Sequence, residues 1–187
     1  MASRARSTMI EGAALLLAKH GLQGTSFSEV LELTGAPRGS VYHHFPGGKD
    51  QLVGEAIEFT GANVNDALQQ RAGESAETIT AYFLDLWRSV LTRSEFSAGC
   101  AVLAVTVASE PGDLADRAAG VFRRWRTRLA ELLEQGGLDA TAAARFSALL
   151  IASSEGAVVL SRAERSLEPF DLVADQLRDQ VRLLAGA

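Results

Sequence analysis

The stretch Thr25–Phe45, TSFSEVLELTGAPRGSVYHHF, decides how the rest of the chain is read. Ser26 stands three residues before Glu29, the spacing at which a serine hydroxyl and a glutamate carboxylate satisfy each other's orphan backbone N–H at a helix start. Val30, Leu31 and Leu33 follow, and Gly35 ends the helix because glycine tolerates the left-handed conformation beyond a last turn. Pro37 suits the first turn of a second helix, where its missing N–H costs little, and that helix runs to His44, short of Pro46 and Gly47-Gly48. Two short helices across a glycine-containing turn predict a helix-turn-helix unit.

A helix that reads DNA is short, enters a major groove about 12 Å wide and presents side chains to base edges. In Arg38-Gly39-Ser40-Val41-Tyr42-His43-His44 the residue types divide that work. Arg38 offers a bidentate fork to guanine, Gly39 removes a side chain where backbone must come close to DNA, and Ser40 and His43 can donate to bases or phosphates. Tyr42 joins an apolar body to a hydroxyl that reaches phosphate. Val41 and Phe45, four apart, should face inward. Thr25 and Ser26 sit at a helix N-terminus, where hydroxyls, N–H groups and the dipole favour a phosphate. Lys49, opening the next helix, adds a charge for the DNA backbone. The plainer alternative is a helical hairpin with a tyrosine and two histidines on its surface.

Upstream, Ile10, Ala13, Ala14 and Leu17 recur at helical spacing from about Ser3 to His20, with Gly21 as a stop. Downstream, a long helix is expected from about Lys49 to Gln70, with Leu52, Ala56, Phe59 or Thr60, Asn63 and Ala67 along one side. A further amphipathic helix carries Ile79, Phe83, Leu86, Trp87 and Val90. The apolar run Cys100–Ala108 has the composition of a buried strand or helix. Without a second strand candidate nearby, a buried helix is expected. Asp113 should cap a helix whose inner face holds Leu114, Ala118, Val121, Phe122, Trp125, Leu129 and Leu132, with Arg123, Arg124, Arg126 and Arg128 on a solvated face.

Asp139 should cap the next helix, which carries Phe146, Leu149, Leu150, Ser153, Ala157 and Leu160. The last helix repeats Phe170, Val173, Leu177, Val181 and Leu184. This pair suits packing against a copy of itself, or an ordinary core. The expected fold is all-α: a three-helix helix-turn-helix domain over residues 1–48, then a helical domain over 49–187.

Composition narrows the function. The chain of 187 residues has one cysteine, Cys100, which excludes an internal disulfide framework and a multi-cysteine zinc site. No stretch reads as a signal peptide or a membrane span, so a cytoplasmic protein without a membrane partner is expected. Residues 1–50 hold Arg4, Arg6, Lys19, Arg38 and Lys49 against Glu11, Glu29, Glu32 and Asp50, so the net charge of −5 originates beyond residue 50. His43 and His44 point about 100° apart on a helix, which is poor metal-ligand or triad geometry. No motif pairs a nucleophile with a base, so neither an enzyme nor a metal or other cofactor is expected.

The run T-S-F-S-E followed by T-G-A-P-R-G-S-V-Y-H-H-F resembles the N-terminal domain of the TetR family of bacterial transcription regulators, over residues 4–50. The threonine, the glycine turn, the second glycine and the Tyr-x-His-Phe ending fall at the family's spacing. The continuation F-P-G-G-K-D-Q-L has one more residue between Phe45 and Lys49 than many members, a form similar to the LmrA/YxaF-like subgroup, as is Cys100 within G-C-A-V. Two positions depart: Thr34, where alanine is common, and Pro37, from which a polar residue would otherwise reach DNA.

The resemblance implies base or phosphate contacts for Thr25, Ser26, Arg38, Gly39, Tyr42, His43, His44 and Lys49. It also implies a homodimer on an inverted-repeat operator in double-stranded DNA, released when a small apolar or aromatic effector binds the C-terminal helices. Expected pocket residues are Phe59, Asn63, Phe83, Trp87, Phe96, Cys100, Val105, Phe122 and Trp125. Expected dimer residues are Phe146, Leu150, Ser153, Ala157, Val173, Leu177 and Val181. The rival reading is an architectural or activating DNA-binding helical dimer that needs no effector.

Overall fold

The computed structural model describes residues 2–186, with side chains from Arg4 to Gly186. Among them are nine helices and no strand: α1 (Ala2–His20), α2 (Phe27–Thr34), α3 (Arg38–His44), α4 (Gly48–Gln69), α5 (Ala76–Arg93), α6 (Ala101–Ala108), α7 (Asp113–Gln135), α8 (Ala140–Glu164) and α9 (Glu168–Ala185). They form two compact units that alternate along the sequence. One holds the residues up to Asn63 together with Cys100–Phe122, the other Val64–Gly99 and the residues from Arg123 onward.

In the first unit the core is made by Met9, Ala13, Leu16 and Leu17 of α1, Val30 of α2, Val41 of α3, Phe45, and Leu52, Val53, Ala56 and Ile57 of α4. Ala101, Val102 and Val105 of α6 and Ala118 and Val121 of α7 complete it. Burying side chains of this size is worth about 1.5–3 kcal/mol each, which is what makes helices as short as α2 and α3 persist. α1 and α2 come together closely at Gly12, where a Cβ would stand 2.6 Å from Thr34 Cγ2. Leu33, expected on the apolar side of α2, is exposed, and Val30 alone of that helix is fully buried.

The run at Cys100 is a helix, as its lack of a strand partner suggests, but its last turn is not buried. Thr106, Val107 and Ala108 are exposed, Val107 at 76%. Cys100 is its N-cap, with Sγ accepting the Leu103 N–H at 3.3 Å. Asp113 does not cap α7. It is the first helical residue and pairs with Arg117 one turn on, at 3.0 Å, while the Gly112 carbonyl takes the Asp116 N–H.

The second unit is built on α5, α8 and α9, which pack together and bury Ile79, Phe83 and Leu84 of α5, Phe146, Leu150, Ala157 and Val158 of α8, and Phe170, Ala174, Leu177 and Val181 of α9. Asp139 caps α8 by accepting the Thr141 and Ala142 N–H groups at 2.9 and 3.0 Å. Arg88 of α5 grips Asp171 of α9 through two bonds of 3.0 and 3.3 Å, and the carboxylate beside it holds the guanidinium pKa above its ordinary value. Arg123, Arg124 and Arg126 of α7 are exposed, as a solvated arginine face requires. α8 is long and apolar enough by composition to cross a membrane, yet half of that window is buried against its own neighbours.

Candidate nucleic-acid interface and effector domain

The geometry of α2 and α3 follows from local chemistry. Ser26 has extended backbone angles and accepts the Glu29 N–H at 3.3 Å, while Glu29 Oε2 accepts the Ser26 N–H at 2.8 Å, completing the capping box. At the other end Gly35 adopts φ 66° and its N–H reaches the Leu31 carbonyl at 2.9 Å. A side chain at that φ would be strained, so the turn needs glycine. Thr34 Oγ1 donates to the Val30 carbonyl at 2.6 Å and accepts the Ala36 N–H at 3.4 Å, so this departure from the family pattern helps fasten the turn.

α3 then begins at Arg38 behind Pro37, whose carbonyl takes the Ser40 hydroxyl at 2.6 Å. With Val41 and Phe45 fully buried, 100° per residue leaves Arg38, Tyr42, Gly39 and His43 along one outward arc. All four are exposed, Tyr42 at 71%. The Tyr42 ring stands edge-on to Phe27, the first residue of α2, with centroids 5.6 Å apart. An ideal Cβ built on Gly39 meets nothing within 4 Å, and its φ lies outside the left-handed region. Nothing inside the chain therefore calls for glycine at this position.

Five expected DNA-contact residues stand differently from the outward arc, the first being Ser40, half-buried with its hydroxyl given to the Pro37 carbonyl. Thr25 is buried and its hydroxyl donates to the Gly21 carbonyl at 2.9 Å, so it joins α1 to α2 rather than presenting a hydroxyl outward. The N–H of Ser26 is already occupied by Glu29, which leaves its hydroxyl hydrogen as the polar group it can offer. His44 is half-buried, with its ring 5.4 Å from His43 and 6.4 Å from Phe45. Lys49 Nζ donates to the Leu22 carbonyl at 2.8 Å, tying the start of α4 to the loop after α1. The sequence pattern marks Thr25 and Lys49 as polar without saying which way they turn, and here both turn inward.

The expected pocket residues divide between the two units. In the first, Cys100 and Val105 are buried, Phe59 and Phe122 half-buried, and Asn63 exposed. In the second, Phe83, Trp87 and Trp125 are buried. Phe96 is half-buried with φ 62°, and lines an open cavity of about 690 Å³ that includes Val159 and Arg162. Sequence reasoning passed over Thr80 and Ser154, both fully buried, whose hydroxyl oxygens have no hydrogen-bond partner among the described residues. It also passed over Glu155, a carboxylate on α8 only 7% exposed. Their sole sequence signal is a polar residue on an apolar helical stripe.

Of the expected dimer residues, Phe146, Leu150, Ala157, Leu177 and Val181 are buried within one chain, where they hold α8 and α9 together, while Ser153 and Val173 are half-buried. Where the pair meets at the surface, the exposed residues are Leu149, Gly156 and Leu160 of α8 and Leu172 and Gln176 of α9, and the expected Ser153, Ala157, Val173 and Leu177 lie beside them. These residues line a groove of about 450 Å³, and Leu172 is 67% exposed. α8 carries two apolar stripes. Spacing alone does not say which one faces its own core.

Residues 9–56 match the family model for bacterial regulatory proteins of the tetR family, and residues 65–176 match the C-terminal domain of LmrA/YxaF-like transcriptional regulators. An HTH-type transcriptional regulator of Mycobacterium tuberculosis is 39% identical over 183 residues, covering 93% of this chain and 92% of that protein. The HTH-type regulator YxaF of Bacillus subtilis is 30% identical over 181 residues, covering 95% of each. The crystal structure of a TetR transcriptional regulator from Chloroflexus aurantiacus superposes with a TM-score of 0.80 at 26% identity, over 97% of this chain and 96% of that one. Matches spanning both the reading head and the C-terminal helices leave one conclusion: the chain belongs to the TetR family of bacterial transcription regulators, a DNA-binding protein with an LmrA/YxaF-like C-terminal domain, and not an enzyme.

Proposed function

We propose that the protein is a ligand-responsive repressor, acting in the cytoplasm as a homodimer on an inverted-repeat operator and released by a small apolar or aromatic effector. Residues 1–48 serve as the reading head and residues 49–187 as the effector and dimerisation region. The observation that carries the reading is the outward arc of α3, with Arg38, Gly39, Tyr42 and His43 exposed over a core that Val41 and Phe45 lock in place. Arg38 and His43 read bases, and Tyr42 and the Ser26 hydroxyl position the head on phosphate.

The apolar groove between α8 and α9, with Leu149, Leu160 and Leu172 at its surface, supports self-association through a face that polar solvent does not favour. Two heads then dock on half-sites about 34 Å apart or a multiple of it, so a small change in their separation abolishes simultaneous docking. Phe83, Trp87 and Trp125 supply an aromatic lining for an effector, and the buried Thr80 and Ser154 hydroxyls supply hydrogen bonds that orient it.

The test begins with selection of duplexes from a random pool by the full-length protein. An enriched inverted repeat is expected. A thermal-shift screen of planar aromatic and amphipathic compounds follows. Compounds that raise the melting temperature should also release the selected duplex. Stabilising compounds that leave the DNA bound would overturn the effector reading and leave an architectural or activating dimer.

A further inference from the structure

In the reading head, polar links close a ring around the connection from α3 to α4. The Gly47 N–H donates to Gln51 Oε1 at 2.9 Å, and Gln51 Nε2 donates to Glu55 Oε1 at 3.0 Å. Arg6 of α1 pairs with the other oxygen, Glu55 Oε2. The guanidinium carbon of Arg6 also lies 5.4 Å from the ring centroid of Phe45, the residue that ends α3. The ring thus starts in the turn after α3, runs along α4, crosses to α1 and returns to the end of α3.

We propose that Arg6, Gln51 and Glu55 are positioning residues for the recognition helix, fixing the direction of α3 relative to α4 without touching DNA. This rests on α3 being the element that reads DNA. α3 has seven residues and no side-chain cap at its N-terminus, too little to hold a direction by itself. The connection to α4 runs through Phe45, Pro46 and Gly47 into Gly48, the first residue of α4 at φ 78°, and supplies no regular element of its own.

Arg6 holds a carboxylate through an N–H while its guanidinium carbon lies over an aromatic ring, two contacts that the broad guanidinium spans more readily than the compact ammonium of lysine. The Glu55 side chain is 19% exposed and has a partner on each oxygen, so it is spoken for from both sides. Gln51 is oriented by the same ring, because its oxygen must accept from Gly47 while its nitrogen donates to Glu55.

Two substitutions that change the charge of the head in opposite directions test the proposal. Arg6→Ala removes a positive charge, and Glu55→Gln removes a negative one. Binding of the full-length variants is measured against a duplex selected by the wild-type chain and against the same duplex scrambled, over a range of salt, with melting curves on the same preparations. Both variants should bind the selected duplex about tenfold more weakly and the scrambled duplex within about twofold of wild type, and the double variant should lose no more than the weaker single one. The salt slope should not move, and Arg6→Lys should fall between wild type and Arg6→Ala.

If Arg6 instead serves a phosphate, Arg6→Ala weakens both duplexes and flattens the slope by about one, while Glu55→Gln tightens both. That pattern overturns the proposal. So does a loss shared equally by both duplexes and tracking the melting temperature, which marks a purely structural role. A wild-type chain that enriches no duplex would overturn the reading head itself, and the positioning role with it.

Discussion

Replacing Gly39 with alanine separates what the fold needs from what DNA needs. Gly39 is the second residue of a helix, with helical rather than left-handed angles, and a Cβ there would meet nothing within 4 Å. Glycine inside a helix costs roughly 0.5–1 kcal/mol relative to alanine, chiefly through the freedom it has when unfolded. The free protein should therefore be more stable as Gly39→Ala, by a melting-temperature rise of about 1–4 °C for a chain of this size. If the α3 backbone approaches the groove at Gly39, the added methyl stands where DNA should be, and specific binding should fall by tenfold or more, about 1.4 kcal/mol. Differential scanning fluorimetry and fluorescence anisotropy on one preparation read both numbers. A variant that is more stable and binds the selected duplex as wild type does would refute the close approach. One that is less stable would refute the account of α3 in the free chain.

Other outcomes follow from the same geometry. Arg38→Ala should cost about 1–3 kcal/mol and relax preference at one base position in a repeated selection, whereas equal losses on selected and scrambled duplexes would remove Arg38 from base reading. Lys49→Met should lower stability by about 1.5–3 kcal/mol through loss of the charged bond to the Leu22 carbonyl, with the salt slope of DNA binding unchanged. A slope reduced by about one would return Lys49 to the phosphate backbone. Leu172→Glu should yield a monomer in analytical ultracentrifugation with little change in secondary structure, because Leu172 is exposed within one chain. Phe146→Ala should cost about 3–5 kcal/mol of stability instead, and a well-folded monomeric Phe146→Ala would reverse the two assignments.

The reading head was legible because its signals are local. A capping box, a left-handed glycine and a proline at a helix start each act within four residues, so Ser26, Glu29, Gly35 and Pro37 announce α2, the turn and α3 without knowledge of the rest. Direction was less legible. Thr25 and Lys49 have the chemistry of phosphate ligands, but their bonds go to the Gly21 and Leu22 carbonyls, acceptors that exist only once α1 has ended and α4 has docked. The same limit governs α8, where Phe146 and Leu149 are equally apolar and only the position of α9 decides which one is inside. Arg6 gave no sequence signal at all, since its partners Phe45 and Glu55 lie 39 and 49 positions away.

The alternation of the two compact units along the sequence bears on how hybrids of such regulators should be made. The chain leaves the first unit after Asn63, re-enters it at Cys100 and leaves again after Phe122. A hybrid joined by a single cut after the helix-turn-helix would take α6 and the first turns of α7 from one parent and the core they complete from the other. Ala101, Val102, Val105, Ala118 and Val121 would then meet a surface they did not evolve beside. Grafting this reading head onto another effector domain should carry Cys100–Phe122 along with it, with three junctions in place of one.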